Sequence, residues 1–125
     1  MATLSLVKIK PGTTPTLTAV VDGEAIQNAT VYITIDMKDR QLVKTNHLHE
    51  GDIVLEPVYS GSTQIGTKLT VQYSQAETLR LRPGVAQIEV GWVFEDGAAD
   101  KTNIGRIRIS KTLFRGVMTY GRHTS

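Results

Sequence analysis

A chain of 125 residues has the usual size of one domain and can bury about two thirds of its unfolded surface around a single core. Its 14 basic and 12 acidic residues leave a net charge of +2, a smaller surplus than a nucleic-acid-binding protein with a clustered basic face usually carries. Cysteine is absent, which excludes disulfides, thiolate chemistry and zinc sites built on cysteine.

The N-terminal sequence MATLSLVKIKPG has no charged leader followed by an apolar segment and a small-residue cleavage site, so we expect no secretory signal. No apolar run approaches the ~20 residues of a membrane-spanning helix. We therefore expect a soluble protein that is made in a cytoplasm and has neither a membrane nor a nucleic acid as its partner.

Most predicted elements are short β-strands. Segment 30–39, TVYITIDMKD, alternates apolar and polar residues strictly, with Val31, Ile33, Ile35 and Met37 on one face. Such alternation, rich in β-branched residues, is typical of a strand with one buried face. The same pattern predicts strands at 64–73 and 86–95, and shorter ones at 5–10, 16–21, 40–45, 53–56 and 102–111.

Alternation also predicts which side chains form the core. In 86–95 the inward set is Ala86, Ile88, Val90, Trp92 and Phe94, and the outward set is Gln87, Glu89, Gly91, Val93 and Glu95. In 64–73 the apolar face holds Ile65, Leu69, Val71 and Tyr73. Outward positions are predicted for Arg80, Arg82, Arg106 and Arg108. We expect a charged outer sheet face, where cross-strand pairs with Glu89 and Glu95 contribute roughly 0.2 to 1 kcal/mol each.

Six turn signals containing glycine or proline separate these strands: Pro11-Gly12, Asp22-Gly23, Glu50-Gly51-Asp52, Ser60-Gly61-Ser62, Pro83-Gly84 and Asp96-Gly97. About seven or eight short strands with such turns predict an all-β fold, an antiparallel β-sandwich.

One short helical turn is predicted at Gln75-Ala76-Glu77, directly after Ser74. Ser74 followed three residues later by Glu77 is a capping box, which satisfies backbone donors at a helix start. Pro83 prevents a long continuation. We expect this turn to cross from one sheet to the other.

The alternation ends after Lys111. An apolar segment without strand pattern either covers the end of its own core or binds a neighbour. We therefore expect residues 1–125 to form one sandwich domain with 112–125 as a C-terminal docking tail. The predicted interface residues are Leu113, Phe114, Val117, Met118 and Tyr120.

A metal site was considered at His47 and His49, which a strand would place on one face, with Glu50 and Asp52 close by. A polar loop explains the same residues, and His123 is the one other histidine in the chain. We predict no metal ligand and no cofactor.

Catalytic motifs are also weak. Ser60, Ser62 and Ser74 lack the G-x-S-x-G pattern of a nucleophile elbow. The carboxylates most open to a catalytic role lie beside glycine or alanine in turns, where backbone hydrogen bonds explain them: Asp22, Asp96 and Asp100. The glycines are scattered, and none opens a long helix that would bind phosphate. We predict that the protein is not an enzyme.

Four segments resemble, in order and spacing, those of small immunoglobulin-like structural proteins of tailed bacteriophages and prophages. Many of these proteins have a GDTPTL-like start, a QEETLxF-like corner, a QVRW-like strand with a DG turn, and a final strand containing T-N-I. Residues 38–63 match no motif, Ala76 replaces a frequent acid, and Gly91-Trp92 replaces a frequent basic-aromatic pair. The similar segments are GTTPTL at 12–17, SQAETLRL at 74–81, AQIEVGWVFEDG at 86–97 and KTNIGRIRIS at 101–110.

This resemblance implies an immunoglobulin-like β-sandwich in a virion, similar to the N-terminal domains of baseplate upper proteins and to other tail or capsid accessory domains. It supplies no catalytic residues. We expect a non-enzymatic virion component, located in the particle and assembled with itself and other virion proteins as a homo-oligomer in a symmetric array.

Two alternatives remain. One is a host receptor- or glycan-binding module of the phage particle, with its site in the loops at 47–52 and 59–64 and a role for Tyr59. The other is a small enzyme or metal protein built on the same sandwich.

Overall fold

The computed structural model describes residues 2–4, 8–48 and 51–121. This part of the chain contains nine strands and one helical turn. The strands are β1 Ala2–Leu4, β2 Lys8–Ile9, β3 Thr16–Asp22, β4 Thr30–Met37, β5 Arg40–Thr45, β6 Ile53–Ser60, β7 Thr63–Gln72, β8 Gly84–Val93 and β9 Ala99–Ile109, and the helix is α1 Gln75–Thr78. The helix is far shorter than a membrane-spanning one, and the described residues contain no other.

The strands form two sheets with the order of an immunoglobulin-like sandwich. One has four strands in the order β1-β3-β7-β6, and the other has five in the order β2-β9-β8-β4-β5. Neighbouring strands are antiparallel except β2 and β9, which pair in parallel. The predicted fold class is therefore confirmed. Of the strand predicted at 5–10, residues 8–9 form β2 and residues 5–7 lie outside the described part. Strand β1, which belongs to the other sheet, was not predicted.

The core lies between the inner faces of the two sheets. Val31, Ile33 and Ile35 of β4 are fully buried, as are Ala86, Ile88 and Val90 of β8, and the Trp92 side chain is almost fully buried. The alternation predicted for both strands is confirmed. Burial of a side chain such as Ile33 contributes about 1.5 to 3 kcal/mol relative to its exposure to water.

One predicted core position is occupied differently. Ile65 is 46% exposed near the start of β7, whereas Thr67 is fully buried. The Thr67 hydroxyl donates a hydrogen bond to the Glu24 carbonyl oxygen at 2.7 Å and accepts one from the Ile26 amide at 3.0 Å. Both bonds satisfy a polar group that burial would otherwise penalise.

A β-bulge in β9 resets the alternation of its side chains. Ile88 pairs with Gly105 and Glu89 with Asn103, so Ile104 is the extra residue. As a result Ile104 is buried together with Ile107 and Ile109, although strict alternation would have turned it outward. Gly105, with φ of 148°, supplies a backbone conformation that other residues rarely adopt.

The predicted turns are also present. Their six glycines all have positive φ angles: Gly12, Gly23, Gly51, Gly61, Gly84 and Gly97. Glu50, the first residue of one turn signal, lies outside the described residues.

These turns define two ends of the sandwich. The hairpin end holds loop 23–29 and the β6–β7 and β8–β9 turns, joined by hydrogen bonds between Gln27 and Gln64 and by the pairing of Thr30 with Val93. The corner end holds loop 10–15, the β4–β5 turn, α1 and segment 110–121. Strand β8 runs from one end to the other, so at ~3.3 Å per residue its ten residues separate them by about 30 Å.

Candidate functional site

Helix α1 at the corner end is held by the predicted capping box. The Ser74 hydroxyl accepts a hydrogen bond from the Glu77 amide at 3.2 Å, and the Glu77 carboxylate accepts one from the Ser74 amide at 2.8 Å. The buried Thr78 hydroxyl then donates to the Thr13 carbonyl oxygen at 2.8 Å and accepts from the Gly12 amide at 3.0 Å. A single helical turn thus fixes the loop that leads into β3.

Lys44 lies beneath this corner, with a side chain only 1% exposed. Its ammonium donates to the Glu77 carboxylate at 2.9 Å, to the Asp52 carboxylate at 3.1 Å and to the Gln72 carbonyl oxygen. It also lies 5.0 Å from the centre of the Tyr73 ring. All three ammonium donors are occupied, so this cluster joins the two sheets and α1.

The electrostatics of the cluster follow from this burial. Burial alone raises the pKa of Glu77, but hydrogen bonds from Lys44 and Ser74, together with the Lys44 charge, outweigh it and hold the pKa below its ordinary value. Burial, and then the charge of Glu77, raise the pKa of Tyr73 far above its ordinary range. The phenol therefore stays neutral, and its oxygen has no hydrogen-bond partner among the described residues.

Sequence reasoning did not single out Lys44. The alternation of β5 could have identified it. Leu42 and Lys44 are two residues apart, so they lie on the same face of the strand and both point inward, whereas Gln41 and Val43 are exposed. A lysine at a core position of an alternating strand indicates a buried ion pair.

The C-terminal segment crosses the corner without forming a strand. The Ser110 amide donates to the Ile9 carbonyl oxygen at 2.9 Å, which is the last sheet-like bond. Farther on, the side-chain amide of Gln75 donates to the Met118 carbonyl oxygen at 2.9 Å and accepts from the Met118 amide at 2.7 Å. This paired hydrogen bond fixes the backbone of the segment against α1.

The apolar side chains of the segment nevertheless point away from the protein. Leu113 and Tyr120 are almost completely exposed, and Phe114, Val117 and Met118 are more than half exposed. From the sequence, the segment was expected either to cover the end of its own core or to bind a neighbour. These five exposed side chains do not cover the core. Exposed apolar groups gathered on one segment are typical of an interaction surface.

A groove of about 610 Å³ opens beside this segment at the corner end. Its lining combines apolar and basic residues. The apolar residues are Pro11, Leu79, Leu81, Pro83 and Leu113, and the basic ones are Arg40, Arg82, Lys111 and Arg115. No acidic residue is among these lining residues.

The four cations of the groove differ in their partners. Arg82 binds Asp39 at 2.9 Å, and Arg40 lies 3.7 Å from the same carboxylate and donates to the Arg80 carbonyl oxygen at 2.9 Å. Lys111 and Arg115 form no ion pair with any described residue. The groove therefore presents two uncompensated positive charges beside apolar surface.

The arginines predicted to point outward are all exposed: Arg80, Arg82, Arg106 and Arg108. Their expected pairing with Glu89 and Glu95 was wrong. Glu89 instead lies 3.8 Å from Lys101, because the bulge shifts β9, and Glu95 follows the end of β8 in the turn. Arg80 and Arg82 belong to the corner end and Arg106 and Arg108 to the five-stranded sheet, so the four do not form one face.

The residues considered for a metal site are only partly described. His47 is exposed in the turn after β5, and His49, Glu50 and His123 lie outside the described residues. Asp52 is bound to Lys44. In the described ranges no three histidine or carboxylate side chains are grouped closely enough to hold a metal ion.

Comparison with known proteins adds no relative: no protein-family model and no curated protein matches this chain.

Proposed function

We propose that this protein is a non-enzymatic structural component of a tailed-bacteriophage virion, a tail, baseplate or capsid accessory protein that assembles through its C-terminal segment. One observation carries the proposal: the backbone of segment 110–121 is fixed by Gln75 while its apolar side chains remain exposed.

The energetics of association favour this use of the segment. Each large apolar side chain that a partner buries contributes about 1.5 to 3 kcal/mol. Because two hydrogen bonds already hold Met118, the segment loses less conformational freedom on binding than a loose tail would. Repeated copies in a symmetric particle add such contacts together.

The virion context is supported by the four segments that resemble phage structural proteins. Three of them, 74–81, 86–97 and 101–110, form the corner and the β8–β9 hairpin, and residues 12–17 lead into β3. The proposed partners are further copies of the chain and other virion proteins, and the proposed location is the particle.

The proposal is tested by following the chain into particles. A tagged chain expressed during phage production should co-sediment with purified virions, and a variant with Leu113→Ser, Phe114→Ser and Val117→Ser should not. Ile65→Ser is the control, since Ile65 is 46% exposed and lies on β7 at the hairpin end, at the opposite end of the sandwich from the segment. Incorporation of the triple variant at the wild-type level would refute the role of the segment.

A second candidate is a receptor- or glycan-binding module, which Tyr59 favours. This aromatic is 57% exposed on β6, the outer strand of the four-stranded sheet, and lies outside the groove. Binding of the purified protein to host cell-wall polysaccharide, lost in Tyr59→Ala but kept in the triple variant, would support this function over assembly.

A further inference from the structure

The charges of the described residues are divided between the two ends of the sandwich. The hairpin end carries five carboxylates on loop 22–24 and on the β8–β9 turn with its flanks: Asp22, Glu24, Glu95, Asp96 and Asp100. Lys101 is the one lysine or arginine among the described residues of these segments, and it lies 3.8 Å from Glu89. A net charge of only +2 therefore conceals an acidic end.

The corner end has the opposite sign. Its exposed or half-exposed cations are Lys10, Lys38, Arg40, Arg80, Arg82, Lys111 and Arg115. Asp39 at this end is bound to Arg82, and Asp52 and Glu77 are bound to Lys44. The positive charge around the groove is therefore largely uncompensated.

The β8–β9 turn at the acidic end has a preformed shape. The Phe94 amide donates to the Ala98 carbonyl oxygen at 2.8 Å, and the Gly97 amide donates back to the Phe94 carbonyl oxygen at 2.9 Å. The Asp96 carboxylate accepts from the Ala98 amide at 2.9 Å. A narrow turn that ends in small residues and carries carboxylates is complementary to a groove lined by apolar and basic residues.

We propose that the groove binds a second copy of this chain, which inserts its acidic turn, Phe94–Ala98, among the basic groups that line the groove. The inference rests on the proposed function and names the partner for the self-association it includes. The contact joins different surfaces at opposite ends of the molecule, about 30 Å apart. Repetition of such a contact builds a closed ring or an open stack.

Charge also selects the orientation of the two copies. Two corner ends repel each other through their cations, and two hairpin ends repel each other through their carboxylates. Attraction remains for the head-to-tail arrangement, in which each acidic turn meets a basic groove. Leu113 belongs to both the groove and the exposed C-terminal segment, so this contact also covers part of the apolar surface.

Two charge-reversed variants test the proposal. Lys111→Glu with Arg115→Glu reverses the two unpaired charges of the groove, and Glu95→Lys with Asp100→Lys reverses two charges of the turn and its flank while leaving Asp96 to hold the turn. In sedimentation velocity at low salt, each variant alone should self-associate about tenfold more weakly than the wild type, or worse. An equimolar mixture should associate again, because the reversed groove of one variant then meets the reversed turn of the other, and the two unchanged surfaces also meet.

The matched control is Arg106→Glu with Arg108→Glu, which changes the net charge as much as the first variant but lies on the five-stranded sheet. It should associate like the wild type, and circular dichroism should show that all variants fold. If the mixture does not recover, or if the control is as weak as the first variant, the inference is wrong. Loss of virion incorporation in the triple variant would still support the proposed function in that case.

Discussion

Lys44 connects more elements of this protein than any other charged side chain among the described residues. It comes from the edge strand of one sheet and binds α1, the end of β7 and the residue before β6. Removal of one member of a buried ion pair leaves the charge of its partner uncompensated in the protein interior. This loss is usually larger than the stability that the intact pair adds relative to a pair of apolar residues.

We therefore predict that Lys44→Ala lowers the free energy of unfolding by about 3 kcal/mol, near the lower end for a buried pair because Asp52 is half exposed. Lys44→Met should cost roughly half as much, since it keeps the apolar stem of the side chain. Urea unfolding of both variants measures the difference. Equal losses in the two variants would contradict this prediction. They would show that packing of the apolar stem contributes nothing and that the lost charge accounts for the whole effect.

Glu77 makes the same cluster sensitive to acid. Its pKa is lowered by folding, so its contribution to stability is complete above the unfolded pKa of about 4.3 and is lost as the pH falls through the lower folded value. We predict that Glu77→Gln destabilises the protein near neutral pH and that this difference from the wild type shrinks as the pH falls from neutral through the unfolded pKa of about 4.3 and below it. Urea unfolding across this range is the measurement, and a difference independent of pH would contradict the prediction.

At the scale of elements, the corner and the C-terminal segment depend on each other through Gln75. Two hydrogen bonds between its side chain and the Met118 backbone replace those that a strand would make. The rest of the segment leaves its apolar side chains uncovered, so little else among the described contacts holds it.

We predict that Gln75→Ala releases the segment without unfolding the sandwich. Hydrogen exchange of the Met118 amide should become much faster, while the melting temperature changes by only a few degrees. Gln87→Ala, an exposed glutamine on β8, is the control and should leave the exchange of this amide unchanged. Unaltered protection of Met118 in Gln75→Ala would mean that other contacts fix the segment.

The sequence predicted elements well where the pattern was local. The alternation of β4 and β8 and the Ser74–Glu77 capping box all depend on residues a few positions apart, and all three are confirmed. The bulge at Ile104 was missed because one extra residue in a strand becomes visible only through its pairing with the neighbour. The parallel pairing of β2 with β9 was not predicted, because the pairing of strands about 100 residues apart leaves no local pattern.

At the scale of the whole molecule, the sandwich and its turns could be predicted, but the groove and the division of charge could not. Arg82, Lys111 and the β8–β9 turn are spread along the chain, and only the strand order places the cations at one end and the carboxylates at the other. The apolar residues of the tail were identifiable from composition, whereas their exposure depends on the path that Gln75 fixes.

Site-specific cross-linking tests head-to-tail assembly most directly, because the chain has no cysteine of its own. Glu95→Cys and Leu113→Cys are prepared separately and mixed under oxidising conditions at a concentration where the wild type associates. The account predicts disulfide-linked dimers in the mixture in excess of those that either variant forms alone. A control mixture of Arg106→Cys with Leu113→Cys should form no more disulfide-linked dimers than either variant forms alone. Dimers no more abundant with Glu95→Cys than with Arg106→Cys would contradict the account.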